Sequence, residues 1–163
     1  MLDCLQIVVK HKGMNLTTGE RNLFLMAAKG FISSERNALS QLSDLEEEGN
    51  RQYIKSINAM SDYKLRLEQN LFNNCERILS ILEKAEQTTE CTGEPKAFFN
   101  KLIGDYYRYM TVGARGKQLE IAKVKALEAY KKSQAIELDP CHETRISLNL
   151  NLAVFYYEVL NDK

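Results

Sequence analysis

The chain is poor in the residues that most often announce a chemistry. Its four cysteines, Cys4, Cys75, Cys91 and Cys141, lie far apart, and only His11 and His142 could join them as soft ligands. No close-spaced pair of the kind a zinc site needs is present. Scattered cysteines suit a reducing compartment. No signal peptide is expected, and no apolar run approaches the ~20 residues of a membrane span. The expectation is a soluble, cytoplasmic protein with no metal, no cofactor and no membrane partner. Charge of one sign is missing as well, since 22 basic residues stand against 22 acidic ones. Without a global basic field nucleic acid is not an expected partner, and affinity for anions has to come from local clustering. No nucleophile–base constellation and no glycine-rich phosphate loop occurs, and His142 beside Cys141 reads as a helix start. The chain is not expected to be an enzyme.

Strand signals are absent too. No β-branched alternation bounded by hairpin turns appears, and the pattern is helical throughout. At 163 residues the chain makes one domain with a substantial core. Thr17 and Glu20 have the spacing of a capping box, opening a second helix from about Thr18 that stops near Gly49-Asn50. The next helix is expected from Arg51 or Gln52 to Lys84, with apolar positions at Ile54, Ile57, Leu65, Leu71, Cys75, Ile78, Leu79 and Leu82. Both prolines, Pro95 and Pro140, sit where helices begin. A fourth helix follows Pro95, a fifth runs from about Gln118 to Glu137, and a sixth from about His142 to Leu160. The expected architecture is all-α, a bundle of consecutive antiparallel helix pairs.

What the chain does carry is concentrated in Gly104-Asp105-Tyr106-Tyr107-Arg108-Tyr109 with Lys101 upstream. Seven helical residues advance about 700°, so Lys101 and Arg108 lie about 20° apart on one face. Asp105 sits between them and can pair with either, and Tyr109 adds a phenolic hydroxyl. Two cations, a bracing carboxylate and a tyrosine make a small anion receptor suited to phosphate, since arginine offers a bidentate fork. A solvated charged helix face would show the same spacing. Lys29 and Arg36 repeat the seven-residue interval, with Ser33 on their stripe and Phe24, Phe31 and Ile32 on other faces. Asn151, in an apolar helix seven residues before Glu158, either hydrogen-bonds a ligand's backbone or is satisfied by a neighbouring helix.

Three blocks give the chain a resemblance to the 14-3-3 family: Glu20-Arg21-Asn22-Leu23 through Lys29 to Arg36; Lys101 through Tyr109; and Arg145 to Asn161 with Phe155-Tyr156-Tyr157-Glu158. The resemblance spans essentially the whole chain, and it implies a single 14-3-3-like domain over residues 1–163, about six helices in a superhelical arrangement like that of tetratricopeptide repeats. It further implies an adaptor that holds an extended phosphoserine or phosphothreonine peptide in a basic groove. Lys29, Arg36, Arg108 and Tyr109 match the family's phosphate-binding residues. Lys101 matches the lysine of the groove floor, Asn151 the asparagine on the peptide backbone, and Leu150 and Val154 apolar groove positions. Partners would be phosphorylated client proteins and a second 14-3-3 subunit, in a homo- or heterodimer.

The chain departs from the family pattern at Glu35, where a second arginine is usual, at Glu143 in place of proline, and at Ala38 and Leu39 near the dimer side. Met1 aligns inside the family's second helix and Lys163 falls before its last two, so the first helix and the last two are lacking. The pairing surface keeps Tyr63 but is weakened. Stability and affinity are expected below those of a complete member, with Leu148, Leu152, Phe155 and Val159 left exposed. Two other readings compete. One is a structural helical subunit with a non-functional groove. The other is a repeat module suggested by Ala129-Tyr130 and Ala135 to Pro140, although no second such unit recurs at the ~34-residue period.

Overall fold

The computed structural model describes residues 2–47, 54–88 and 91–161. Six helices follow one another: α1 Leu2–Lys12, α2 Thr18–Glu47, α3 Ile54–Thr88, α4 Gly93–Met110, α5 Gly116–Gln134 and α6 Glu143–Glu158. Among the described residues there is no strand. The fold is all-α, as its sequence pattern requires.

Local chemistry sets the helix ends. α1 stops at Gly13, whose φ of 57° suits a residue without a Cβ, and the Gly13 amide donates to the Val9 carbonyl at 2.8 Å. The capping box forms as expected. The Thr17 amide donates to Glu20 Oε2 at 2.9 Å, and the Glu20 amide donates to Thr17 Oγ1 at 3.3 Å. Pro95 occupies the first turn of α4, where its missing N–H has no helical partner to lose. α3 continues four residues past Lys84, and α5 ends at Gln134 rather than Glu137. Helix ends fray over such distances, and the polarity of 86–88 does not interrupt backbone bonding. The expected end of α2 at Gly49-Asn50 and start of α3 at Arg51 or Gln52 lie outside the described residues, as do the side chains of Ile54 and Ile57.

α4 is the central helix. Nearly every residue from Ala97 to Tyr107 is buried, including Asn100, Lys101 and Asp105. It packs against α3, α5 and α6, while α2 packs on α3 and α1 on both α2 and α3. The core is built on Phe24, Ile32, Leu71, Ile78, Leu82, Phe99, Leu102, Tyr106, Tyr130 and Phe155. The short connection from α4 to α5 turns through Gly113. A Cβ there would lie 2.3 Å from the Glu68 carbonyl oxygen, so the turn can sit against α3 only without a side chain.

Two expectations about apolar faces are corrected. Leu148 and Phe155 are buried in the core, and Leu152 and Val159 pack against it. These residues face inward because α6 lays that stripe on α4 and α5; its exposed large apolar residues are Ile146, Leu150 and Tyr157. Leu65 is exposed, because the buried stripe of α3 runs through Leu67, Leu71, Cys75, Ile78 and Leu82. Two residues of helix turn Leu65 about 200° away from Leu67.

Candidate functional site

Tyr109 stands near the end of α4, and two guanidinium groups converge on its ring. The central carbon of Arg36, carried by α2, lies 4.2 Å from the ring centroid, and that of Arg108 lies 4.5 Å away. These residues border a cavity of about 390 Å³ that continues past Val112, Leu119 and Lys123 to Glu158. A tyrosine face attracts each cation, and so two groups that repel each other can share one ring. Arg36 forms no ion pair among the described residues. Among the described residues the one ion pair of Arg108 is with Glu158, at 3.7 Å, and its buried Nε has no acceptor. Burial works against the charge of Arg108, but the oxygens of Tyr130, Tyr109 and Asp105 outweigh it and hold its pKa above the ordinary value.

Asp105 organises a second cluster, one turn back along α4, whose residues do not line that cavity. Its Oδ2 lies 2.9 Å from Lys101 Nζ, and its Oδ1 accepts from the Tyr130 hydroxyl at 2.8 Å and from Asn151 Nδ2 at 2.7 Å. Of the two cations its spacing offered, it takes Lys101. Three helices are thereby joined at one buried carboxylate, which is 4 % exposed. Burial and the adjacent Asp105 raise the pKa of the Tyr130 phenol, so it stays a proton donor. The reach of Tyr130 depends on Gly104: a Cβ at that position would lie 2.6 Å from the Tyr130 ring.

The remaining residues singled out from sequence are placed as follows. Lys29 is exposed on α2, two turns before Arg36, and makes no ion pair among the described residues. Leu150 is exposed and Val154 half-buried on α6, on either side of the half-buried Asn151. Asn151 is held by a neighbouring helix through Asp105, and its carbonyl oxygen makes no hydrogen bond among the described residues. Glu35 turns away from the cluster: its carboxylate accepts from Ser34 Oγ at 2.8 Å and from Asn74 Nδ2 at 3.3 Å on α3. Tyr130 and Gly104 had not been read as site residues. No local pattern marks them, since both matter through the crossing of α5 over α4.

The architecture is thus an all-helical scaffold with four cations, Lys29, Arg36, Lys101 and Arg108, along α2 and α4, against the two carboxylates Asp105 and Glu158. The family model described as "14-3-3 protein" matches residues 1–163. A "14-3-3 protein 5" of Solanum lycopersicum is 36% identical over 96% of this chain and 63% of its own length. A "14-3-3 protein homolog" of Candida albicans is 38% identical over 94% of this chain and 60% of its own. The "Checkpoint signal transducer rad24" of Schizosaccharomyces pombe is 37% identical over 90% of this chain and 56% of its own. The chain belongs to the 14-3-3 family, whose members are adaptor proteins. It spans about three fifths of the length of these curated relatives. Among the described residues no helix is long and apolar enough to cross a membrane.

Proposed function

We propose that this chain is a phosphoserine/phosphothreonine-dependent adaptor: a 14-3-3-like domain over residues 1–163 that binds client proteins and catalyses nothing. One observation carries this reading, the convergence of Arg36 and Arg108 on the Tyr109 ring with so little anionic compensation. A phosphoserine brings about −1.5 to −2 charges and three acceptor oxygens. It would draw on Arg36, Arg108 and Tyr109, with Lys29 contributing from the rim and Lys101 from the floor. Asn151 would hold the peptide backbone through its unused carbonyl oxygen, with Leu150 and Val154 contacting a flanking side chain. The partners are phosphorylated cytoplasmic proteins and a second 14-3-3 subunit.

The test is fluorescence anisotropy of one labelled peptide in phosphorylated and unphosphorylated forms. Only the phosphorylated form should bind. Hydrogen bonds to charged groups are worth about 1.5–3 kcal/mol each, so Arg108→Ala should weaken binding at least about tenfold. Arg108→Lys, which keeps the charge but loses the fork, should fall between. Equal binding of both peptides would overturn the proposal in favour of a structural subunit with an unused groove.

A further inference from the structure

A second cleft lies on the other side of α4. Asn100, Ile103, Tyr107 and Met110 stand roughly 100–180° around the helix from Lys101. α4 packs on both α3 and α5, whereas the backbones of α3 and α5 do not approach each other. α4 is therefore the floor of a groove walled by α3 and α5. Two cavities, of about 310 and 290 Å³, occupy it and share Glu83, Tyr107 and Lys125.

We propose that this α3–α5 groove docks an extended segment of a partner protein that carries basic and apolar side chains a few residues apart. Charge complementarity identifies the occupant. Glu76, Glu83, Glu86 and Glu128 line the two cavities against only Lys125 and Lys132. Lys125 is already engaged, donating to the Tyr107 hydroxyl at 2.9 Å and lying 3.9 Å from Glu83. Glu86 and Glu128 are exposed and make no ion pair among the described residues. The first cavity thus sets Glu83, Glu86 and Glu128 against Lys125 and Lys132, an excess of negative charge that favours a lysine or arginine. The second is lined by Phe72, Leu79, Met110 and Ile121, and takes an apolar side chain.

Two details fit an extended chain better than a compact small molecule. From Asn100 to Met110 the floor is about 15 Å long, the span of four or five extended residues. On that floor the side-chain nitrogen of Asn100, a residue 1 % exposed, has no acceptor among the described residues. A carbonyl oxygen of the incoming backbone supplies one. This site is independent of the phosphopeptide reading, because it shares no residue with the cation cluster.

The probe is a short unphosphorylated peptide of alternating arginine and leucine, followed by amide chemical shifts and anisotropy. Shifts should gather on Ile103, Ala122 and Ala129 and leave Arg36 unmoved. Glu86→Lys combined with Glu128→Lys should weaken binding at least about tenfold. Both positions are exposed, so circular dichroism should show an unchanged fold. Arg108→Ala should leave this binding intact even while abolishing that of a phosphopeptide. Equal binding of a glutamate–leucine peptide, indifference to the charge reversal, or loss in Arg108→Ala would each overturn the proposal. Spermidine binding as tightly as the peptide would overturn it too, by making the site a polycation sink rather than a segment reader.

Discussion

Asp105 shows how much a single buried carboxylate can hold. It joins Lys101 on its own helix to Tyr130 on α5 and Asn151 on α6. Removing it by Asp105→Ala strands a lysine only 9 % exposed, and breaking a buried pair in this way costs about 3–5 kcal/mol. Urea unfolding should record that loss, with a smaller one for Asp105→Asn. The i,i+4 spacing of Lys101 and Asp105 made their pairing legible in the sequence. The contribution of Tyr130 was not, because it depends on how α5 crosses α4 at Gly104. The cysteines separate in the same residue-by-residue way. Burial pushes the Cys75 thiol up to about 12, and Cys91 is buried while Cys4 and Cys141 are exposed. The thiolate is the reactive form, so a thiol reagent should modify Cys4 and Cys141 quickly. Cys75 and Cys91 should react only on unfolding, and fast reaction at Cys75 would contradict its burial.

Among the helices, the start of α2 was the most readable element, since a capping box is a local pattern and forms whatever the tertiary context. Thr17→Ala should cost about 1 kcal/mol in chemical denaturation. The partner residue makes the same element sensitive to acid. The Glu20 carboxyl is held at about 2 rather than 4.5, first by the hydrogen bond from Lys12 and then by the Thr17 amide. Its folded value lies below its unfolded one, so its contribution is complete above about pH 4.5 and disappears as pH falls toward 2. A thermal midpoint followed through that window should decline less in Glu20→Gln than in the parent protein. The inward face of α6 was less legible. Its apolar residues go nearly all round, so periodicity could not say that Leu148 and Phe155 face the core while Leu150 faces out.

At the scale of the whole molecule, the question is what keeps α2 and α6 at a fixed distance when they do not pack on each other. Glu94, in the first turn of α4, binds both. One carboxylate oxygen lies 2.5 Å from Arg21 of α2, and the other accepts from Thr144 Oγ1 of α6 at 3.2 Å. Arg21 is 7 % exposed and also lies over the Phe98 ring. This clasp was invisible in the sequence, since its members are 73 and 50 residues apart. Nothing local marks Glu94 as different from any other helix-start glutamate. Glu94→Ala leaves a buried guanidinium unpaired and a threonine hydroxyl without its acceptor. Because Glu94 itself is partly exposed, the expected loss is about 2–3 kcal/mol. Replacing the pair together, Arg21→Met with Glu94→Leu, should recover much of that stability, as apolar packing often substitutes well for a buried ion pair. It should not restore the tie to α6. If the clasp sets the spacing of the groove walls, Glu94→Ala and the double variant should both bind phosphopeptide more weakly, though neither touches the cation cluster. A double variant with full stability and full affinity would show that the clasp holds the fold together without positioning the site.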